Sequence, residues 1–286
     1  MRVTSVEMYS SVFEEAVTIS LQNSEPNAQY QARTILGLDA EELIPKFYGR
    51  SLNGSDKFYD FTLKPRDIVM RIVLSPRFVL DETFADVRDH LYRIISANRT
   101  GLVALHFKSG ATLVARILGS IIKFEAVHFT NLPEVQLTVR CNDPMFRAIN
   151  PVIFENTELS TINPVRIPDS LSTAPHGFAM QLTFTADADS FTIQDDPTIP
   201  EWKFKVIPHG GFNAGDVLYF SSEFSNKYIY YVRDTVTSAP VVQLSDRVES
   251  GSIWPILFPG QNEFYFMDIA SFDWNSIQYY AAYWGV

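Results

Sequence analysis

The chain has 286 residues, 46% of them hydrophobic and 20% charged, with a formal net charge of −10. That balance excludes intrinsic disorder, which needs fewer apolar residues and more charge, and the length suits two domains of ~100–200 residues each. The single cysteine, Cys141, excludes an internal disulfide scaffold, no stretch approaches the ~20 apolar residues of a membrane span, and the N-terminus has no apolar run of the signal-peptide kind.

Strand signals dominate the chain from its start. Val17–Leu21 alternates apolar and polar residues, as a half-buried strand does. Asn23 to Pro45 is more polar than a strand needs and reads as an arm or loop at an interface. Within it, Asp39–Leu43 offers a helical turn that Pro45 stops early. Asn53-Gly54 is the pair that a tight hairpin turn with positive φ prefers. Asp67–Leu74 reads as a long, mostly buried strand.

One helix is expected over residues 84–97, where Phe84, Val87, Leu91, Ile94 and Ile95 fall at helical spacing. Thr83 caps it with Asp86 three residues on, Asn98 and Gly101 close it, and Arg88, Asp89 and Arg93 face water. Leu102–Phe107 and Ala111–Phe124 flank a turn at Lys108-Ser109-Gly110 and form a hairpin. Gly119, inside the second run, marks a bulge or a close backbone approach. Glu134–Cys141 is another strand, with Val135, Leu137 and Val139 on one face.

After Asn150-Pro151 the texture changes. Phe178–Phe184, Lys203–Ile207, Asp216–Phe220, Tyr228–Val232, Glu263–Met267 and Ser276–Trp284 are strand-like runs separated by Gly/Pro/Asn/Asp turns, the pattern of an antiparallel sandwich. Charge steps at the same place. Residues 1–148 hold 17 Lys/Arg and 17 Asp/Glu, whereas residues 149–286 hold 6 and 16, so the second part carries the whole −10. All four tryptophans lie there too. The division predicts domains at 1–148 and 149–286. With one part acidic and the other neutral without a basic stripe, tight nucleic-acid binding is disfavoured.

Chemistry is sparse. His90, His106, His128, His176 and His209 show no i, i+4 pair for a metal and read as structural histidines. Cys141, at a strand end without a Cys or His partner nearby, reads as a small buried hydrophobe. Asp187-Ala188-Asp189-Ser190, with Asp195-Asp196 close by, opens like a calcium loop but lacks its Gly and terminal Glu, so a solvated turn is favoured. Gly210-Gly211 and Gly215 lack the Lys-Ser/Thr of a phosphate loop, and no Gly-x-Ser-x-Gly elbow occurs. No catalytic residue, metal or cofactor is assigned, and the reading is not an enzyme, although dispersed carboxylate pairs leave no signature in sequence.

The order of short motifs is more informative than any one of them. Gly37 and Asp39 stand in Arg33–Asp39, followed by Phe47-Tyr48-Gly49 and the Asn53-Gly54 turn. Arg66-Asp67-Ile68 enters the long strand, and Cys141-x-Asp143-Pro144-x-Phe146 ends a later one. Gly260 and Asn262 stand in Leu257–Asn262, and Trp284 in Tyr283–Val286. Over essentially its whole length the chain resembles the distal tail proteins of bacteriophages with long, non-contractile tails. The resemblance implies a mainly β protein, with an N-terminal barrel or sandwich carrying one helix and a C-terminal galectin-like antiparallel sandwich. It further implies a hexameric ring at the distal end of the tail in the virion, synthesised and assembled in the host cytoplasm. Such a ring is a hub joining the tube to the baseplate or tail tip around the DNA exit channel, with tail-tube and tail-tip proteins as partners, DNA only in transit and no membrane. Residues 149–286 leave no room for the inserted carbohydrate-binding module of some larger relatives. The alternatives are a carbohydrate-binding module, with Trp202, Trp254, Trp274 or Trp284 as stacking platforms, or a tail-tube subunit.

Overall fold

In the computed structural model of the chain, the described residues are 3–10, 16–21, 28–39, 43–50, 56–76, 81–97, 101–127, 133–155, 164–195, 203–224, 226–233, 241–268 and 272–286. The Asn53-Gly54 turn, the Asn98 helix stop, His128, Asp196 and Trp202 fall outside them. The chain divides into two compact units, Met1–Ile149 with Tyr283–Val286, and Asn150–Ala282. Ile149 and the last four residues, which the sequence reading places in the second part, thus group with the first.

The first unit contains β1 (Ser5–Ser10), β2 (Val17–Leu21), β3 (Tyr30–Leu36), β4 (Leu43–Arg50), β5 (Asp56–Leu63), β6 (Arg66–Leu74), α1 (Phe84–Ala97), β7 (Val103–Ser109), β8 (Thr112–Val127), β9 (Glu134–Cys141) and β10 (Phe146–Arg147). Seven of the strands close into a barrel in the order β8-β7-β1-β2-β3-β6-β9 and back to β8. The period-2 pattern explains the closure: Val6, Ile19, Ile68, Met70, Ile72, Leu105, Phe107, Leu137 and Val139 all bury their side chains in one core. β2 and β3 pair in parallel, whereas every other neighbour in the barrel is antiparallel.

β8 closes the barrel by pairing with both β7 and β9, and it also meets β10 at Arg116. Its first half, to Gly119, pairs with β7, and from Ser120 onward it pairs with β9. A Cβ at Gly119 would lie 2.6 Å from Val139 Cγ1 and 2.8 Å from both Arg140 O and Cys141 Sγ. The close-approach reading of Gly119 therefore holds, and the absent side chain is what lets β8 switch partners there. β4 and β5 form a two-stranded hairpin with Pro45 inside β4, and residues 40–42 of the helical turn expected over Asp39–Leu43 lie outside the described residues.

α1 begins as its sequence requires. Thr83 Oγ1 accepts from Asp86 N–H at 3.2 Å while Asp86 Oδ2 accepts from Thr83 N–H at 2.8 Å, a reciprocal capping box. Val87, Leu91, Ile94 and Ile95 are buried in the barrel core, and Arg88, Asp89 and Arg93 are exposed. Phe84 departs from the expected apolar face: at 45% exposure it sits in the first turn, outside the buried stripe.

The second unit is an antiparallel sandwich. Its strands are β11 (Val152–Glu155), β12 (Val165–Asp169), β13 (Ala179–Phe184), β14 (Phe191–Gln194), β15 (Lys203–Val206), β16 (Val217–Glu223), β17 (Asn226–Val232), β18 (Val241–Gln243), β19 (Gly260–Met267) and β20 (Phe272–Tyr279). Six form one sheet in the order β11-β20-β13-β16-β17-β18, and four form the other in the order β12-β19-β14-β15. Aromatic residues fill the space between. Phe178 lies 5.3 Å from Phe264, and Phe266 meets Trp274 edge-on at 4.7 Å, joining the two sheets. The protein is mainly β with one α-helix among the described residues, as the sequence predicts.

Candidate functional site

The first unit brings most of the motif residues to one buried cation. Arg66 is 1% exposed, at the entry of β6 opposite Cys141 of β9. Its Nη1 donates to the carbonyls of Gly37 at 2.8 Å and Asp39 at 2.6 Å, and its Nη2 donates to the carbonyl of Trp284 at 2.7 Å. The guanidinium lies 4.6 Å from the centre of the Phe146 ring. Three carbonyl dipoles and an aromatic face converge on the guanidinium, an arrangement suited to a planar, multi-donor group and unsuited to an ammonium.

Neighbouring residues shape this node. Gly37 has φ +88°, and a Cβ there would sit 2.3 Å from Asp67 O, so only glycine allows the loop after β3 to approach β6. Val286 N–H donates to Leu38 O at 3.2 Å, fixing residues 283–286 to the same loop. Asp67 is paired with Arg140 through two contacts of 2.8 and 2.9 Å, and that pairing holds its carboxyl below the usual range. Asp143 Oδ1 accepts from Met145 N–H, its Oδ2 accepts from Arg147, and Pro144 is buried beside it. This turn leads from β9 to β10 and delivers Phe146 beneath Arg66. The two most telling motifs, Arg66-Asp67 and Cys141 to Phe146, thus meet in space.

The remaining motif positions lie elsewhere. Gly49 falls in the β4–β5 hairpin, where the register skips between Tyr48 and Arg50, so it takes up a bulge. Gly260 (φ +111°) and Asn262 belong to the second unit. Asn262 Nδ2 donates to Phe258 O at 2.8 Å and Ile167 O at 3.3 Å, while its Oδ1 accepts from Phe258 N–H at 2.8 Å. It clamps the turn into β19 onto β12.

A cluster that the sequence did not reveal is buried in the second unit. Asp169 Oδ2 and Ser172 Oγ both contact His176 Nε2, at 2.9 and 3.0 Å, while His176 Nδ1 contacts Gly177 O at 2.9 Å. These are the residue types of a hydrolytic triad in a different geometry. A relay needs the carboxylate and the hydroxyl on opposite ring nitrogens, and here both share one while the other faces a carbonyl that only accepts. His176 is fully buried, so no substrate reaches it. The cluster is a structural clasp: Ser172 Oγ also accepts from Ala282 N–H, and Tyr279 Oη donates to Pro168 O at 2.9 Å. Burial pushes the Asp169 carboxyl up, but hydrogen bonds from His176 and from the Ser172 hydroxyl and N–H outweigh it and hold it below the usual range. Burial and the Asp169 charge push the Tyr279 phenol up to about 12. Spacings of three and four residues between Asp169, Ser172 and His176 are too common to have marked the cluster.

The other candidates are placed as follows. Cys141 is buried, and burial pushes its thiol up to about 12, which makes it inert at neutral pH. His90 bonds Tyr30 Oη at 2.7 Å. His106 departs from a satisfied structural histidine, because its Nδ1 is buried with no hydrogen-bond partner among the described residues. Asp187 accepts from Ala214 N–H at 2.9 Å, tying its turn to the one before β16. Trp274 is 0% exposed and cannot serve as a platform, and Trp254 packs on Phe204 and Phe220. Among the described residues no group of three or more His, Cys, Asp or Glu is placed to hold a metal ion, and no helix is long and apolar enough to cross a membrane.

No protein-family model matches the chain, and no curated protein matches it. Solved structures do. SPP1 Dit (gp 19.1), a hub adsorption-apparatus protein of Gram-positive-infecting phages, aligns over 89% of this chain and 93% of its own at 14% identity, with a TM-score of 0.58. A chain of the phage p2 baseplate in its activated conformation aligns over 97% and 98% at 8% identity, a looser likeness with a TM-score of 0.40. This barrel-and-sandwich chain has the fold of SPP1 Dit, the fold that its ordered motifs led one to expect.

Proposed function

We propose that the chain is a structural protein of a phage tail, forming a hexameric ring that joins the tail tube to the baseplate or tail tip around the DNA exit channel. The observation that carries this reading is the shared fold with SPP1 Dit over 89% of the chain, at 14% identity. Two features support it. The β4–β5 hairpin pairs with no other sheet among the described residues, and an isolated two-stranded hairpin is marginal in water, so pairing of its edges with a neighbouring subunit would stabilise it. The first unit carries no net charge, which suits close packing in a ring and a channel that does not grip DNA, whereas the acidic second unit suits a solvated position.

Size-exclusion chromatography with light scattering, followed by negative-stain imaging, tests the proposal. Six-fold rings with a central hole are expected. A strict monomer at high concentration that also fails to bind tail-tube or tail-tip proteins would overturn it.

A further inference from the structure

On the outside of the barrel, β1, β7, β8 and β10 align a row of ionisable residues. The register sets Glu7 beside His106, His106 beside Arg116 and Arg116 beside Arg147. Leu105 and Phe107 flank His106 in β7 and are fully buried in the core, so the imidazole lies on the outer face. There it is roofed. The Tyr9 ring covers it at 4.5 Å between centres, with an interplanar angle of 41°. Tyr9 is itself tethered: its Oη donates to Glu7 Oε2 at 2.9 Å, while Lys108 Nζ donates to Glu7 Oε1. His106 Nδ1 is buried and has no hydrogen-bond partner among the described residues.

That covered nitrogen decides where protons can go. A neutral imidazole carries one proton, and a buried N–H without an acceptor is rarer in proteins than a buried acceptor without a donor. The neutral ring therefore keeps its proton on Nε2 and leaves a bare lone pair on Nδ1. A second proton must land on Nδ1, where it makes a donor with no acceptor in place. It also makes a cation among cations: Lys108 on β7, Arg116 on β8 and Arg147 on β10, the last paired with Asp143. Burial above all, then Arg116, pushes the imidazole below its ordinary value, and the Glu7 charge opposes them. Burial pushes the Glu7 carboxyl up, but hydrogen bonds from Lys108 and Tyr9 outweigh it and hold it below the usual range. Glu7 thus stays an anion in mild acid.

We propose that Tyr9, Glu7 and His106 form an acid-operated latch on the outer face of the barrel. At neutral pH the Tyr9 ring lies closed over a neutral imidazole. In mild acid a proton on Nδ1 expels Tyr9, and the imidazolium takes up the Glu7 oxygen that the phenol gives up. The phenol and the imidazolium are both donors, so they compete for one carboxylate, and that competition makes the contact a switch. Tyr9 is in register with Ala104, and Ala104 with exposed Leu118, so opening reshapes an apolar strip on the barrel surface. The folded chain keeps the imidazole neutral and the unfolded chain does not. The closed latch therefore adds stability that is complete above about pH 6.5 and is lost as the pH falls below it. The latch does not rest on the ring-hub reading.

Mass spectrometry on the full chain tests it. Deuterium exchange at the imidazole C2–H, followed from about pH 4 to 8, gives the titration midpoint of His106, and hydroxyl-radical footprinting over the same range gives the exposure of Tyr9. The His106 midpoint is expected below about 6.5, with Tyr9 oxidation rising about twofold or more as the pH falls through that midpoint. Tyr9→Ala should move the midpoint up toward the ordinary value. His106→Gln cannot titrate, so it should abolish the rise at residue 9 and reduce the loss of melting temperature in acid. If either variant fails to fold, the curves of the unaltered chain decide. A His106 midpoint at or above about 6.5, Tyr9 oxidation that does not follow it, or a rise that persists in folded His106→Gln would overturn the proposal. Light scattering at the same pH values reads any change of assembly separately.

Discussion

Arg66 shows how a buried charge can serve as a backbone connector. Its guanidinium, taken out of water, gathers the carbonyls of Gly37, Asp39 and Trp284 and the Phe146 ring around it. Removing it would leave three carbonyl acceptors without this donor. Arg66→Met is expected to destabilise the protein by about 3–5 kcal/mol in urea denaturation followed by circular dichroism. Arg66→Lys should recover only part of that loss, because one ammonium cannot reproduce the planar fork. A loss under about 1 kcal/mol for the Met variant would mean that the carbonyls find other partners. The motif around Arg66 was visible in sequence, but its partners were not. Hydrogen bonds to carbonyls leave no residue signature, and Trp284 stands 218 positions away. The Asp169–Ser172–His176 clasp was hidden for a different reason, since its spacings of three and four residues are too common to mark a cluster.

Among the elements, periodicity carried most of what could be read. β6, α1, β7 and β9 fall close to where alternation or helical spacing places them, because each buries one regular face. Expectations failed where the reason was local. Phe84 sits in the first turn of α1 and stays exposed, and Pro45 lies within β4, in the hairpin that stands apart from the other described sheets. Glycines separate into two kinds that sequence alone does not distinguish. Gly119 is required by crowding, whereas Gly110 has φ +63° and open space on the side where a Cβ would stand, with nothing within 4 Å. Gly119→Ala should therefore cost about 1–3 kcal/mol by thermal melting, as β8 is pushed away from β9. Gly110→Asn, which tolerates the left-handed region, should cost no more than a few tenths of a kcal/mol. Equal effects at the two positions would contradict the account of barrel closure.

On the scale of the whole molecule, the chain enters the second unit at Asn150 and leaves it at Ala282, and only then supplies the last four residues of the first. The charge step near residue 149 marked the entry. Nothing in composition marked the exit, because Tyr283 and Trp284 look like the aromatic sandwich that precedes them. Tyr283 and Val286 pack against the barrel core, and Trp284 provides a carbonyl to Arg66. Deleting residues 283–286 should thus weaken the first unit selectively. Hydrogen exchange is expected to show faster exchange for the amides of β6 and β9 and unchanged protection in β13 and β16. Equal loosening of both units would contradict this division.

The discontinuous first unit also sets an order of events during synthesis. A growing chain usually completes its domains from the N-terminus onward as they leave the ribosome. Here the barrel strands emerge first, yet Arg66 meets Trp284 only after the entire sandwich has been translated. Until then the guanidinium and the carbonyls of Gly37 and Asp39 lack their third partner, and the nascent barrel waits in an incompletely locked state. Residues 283–286, made after the whole sandwich, are those that complete the first unit to appear.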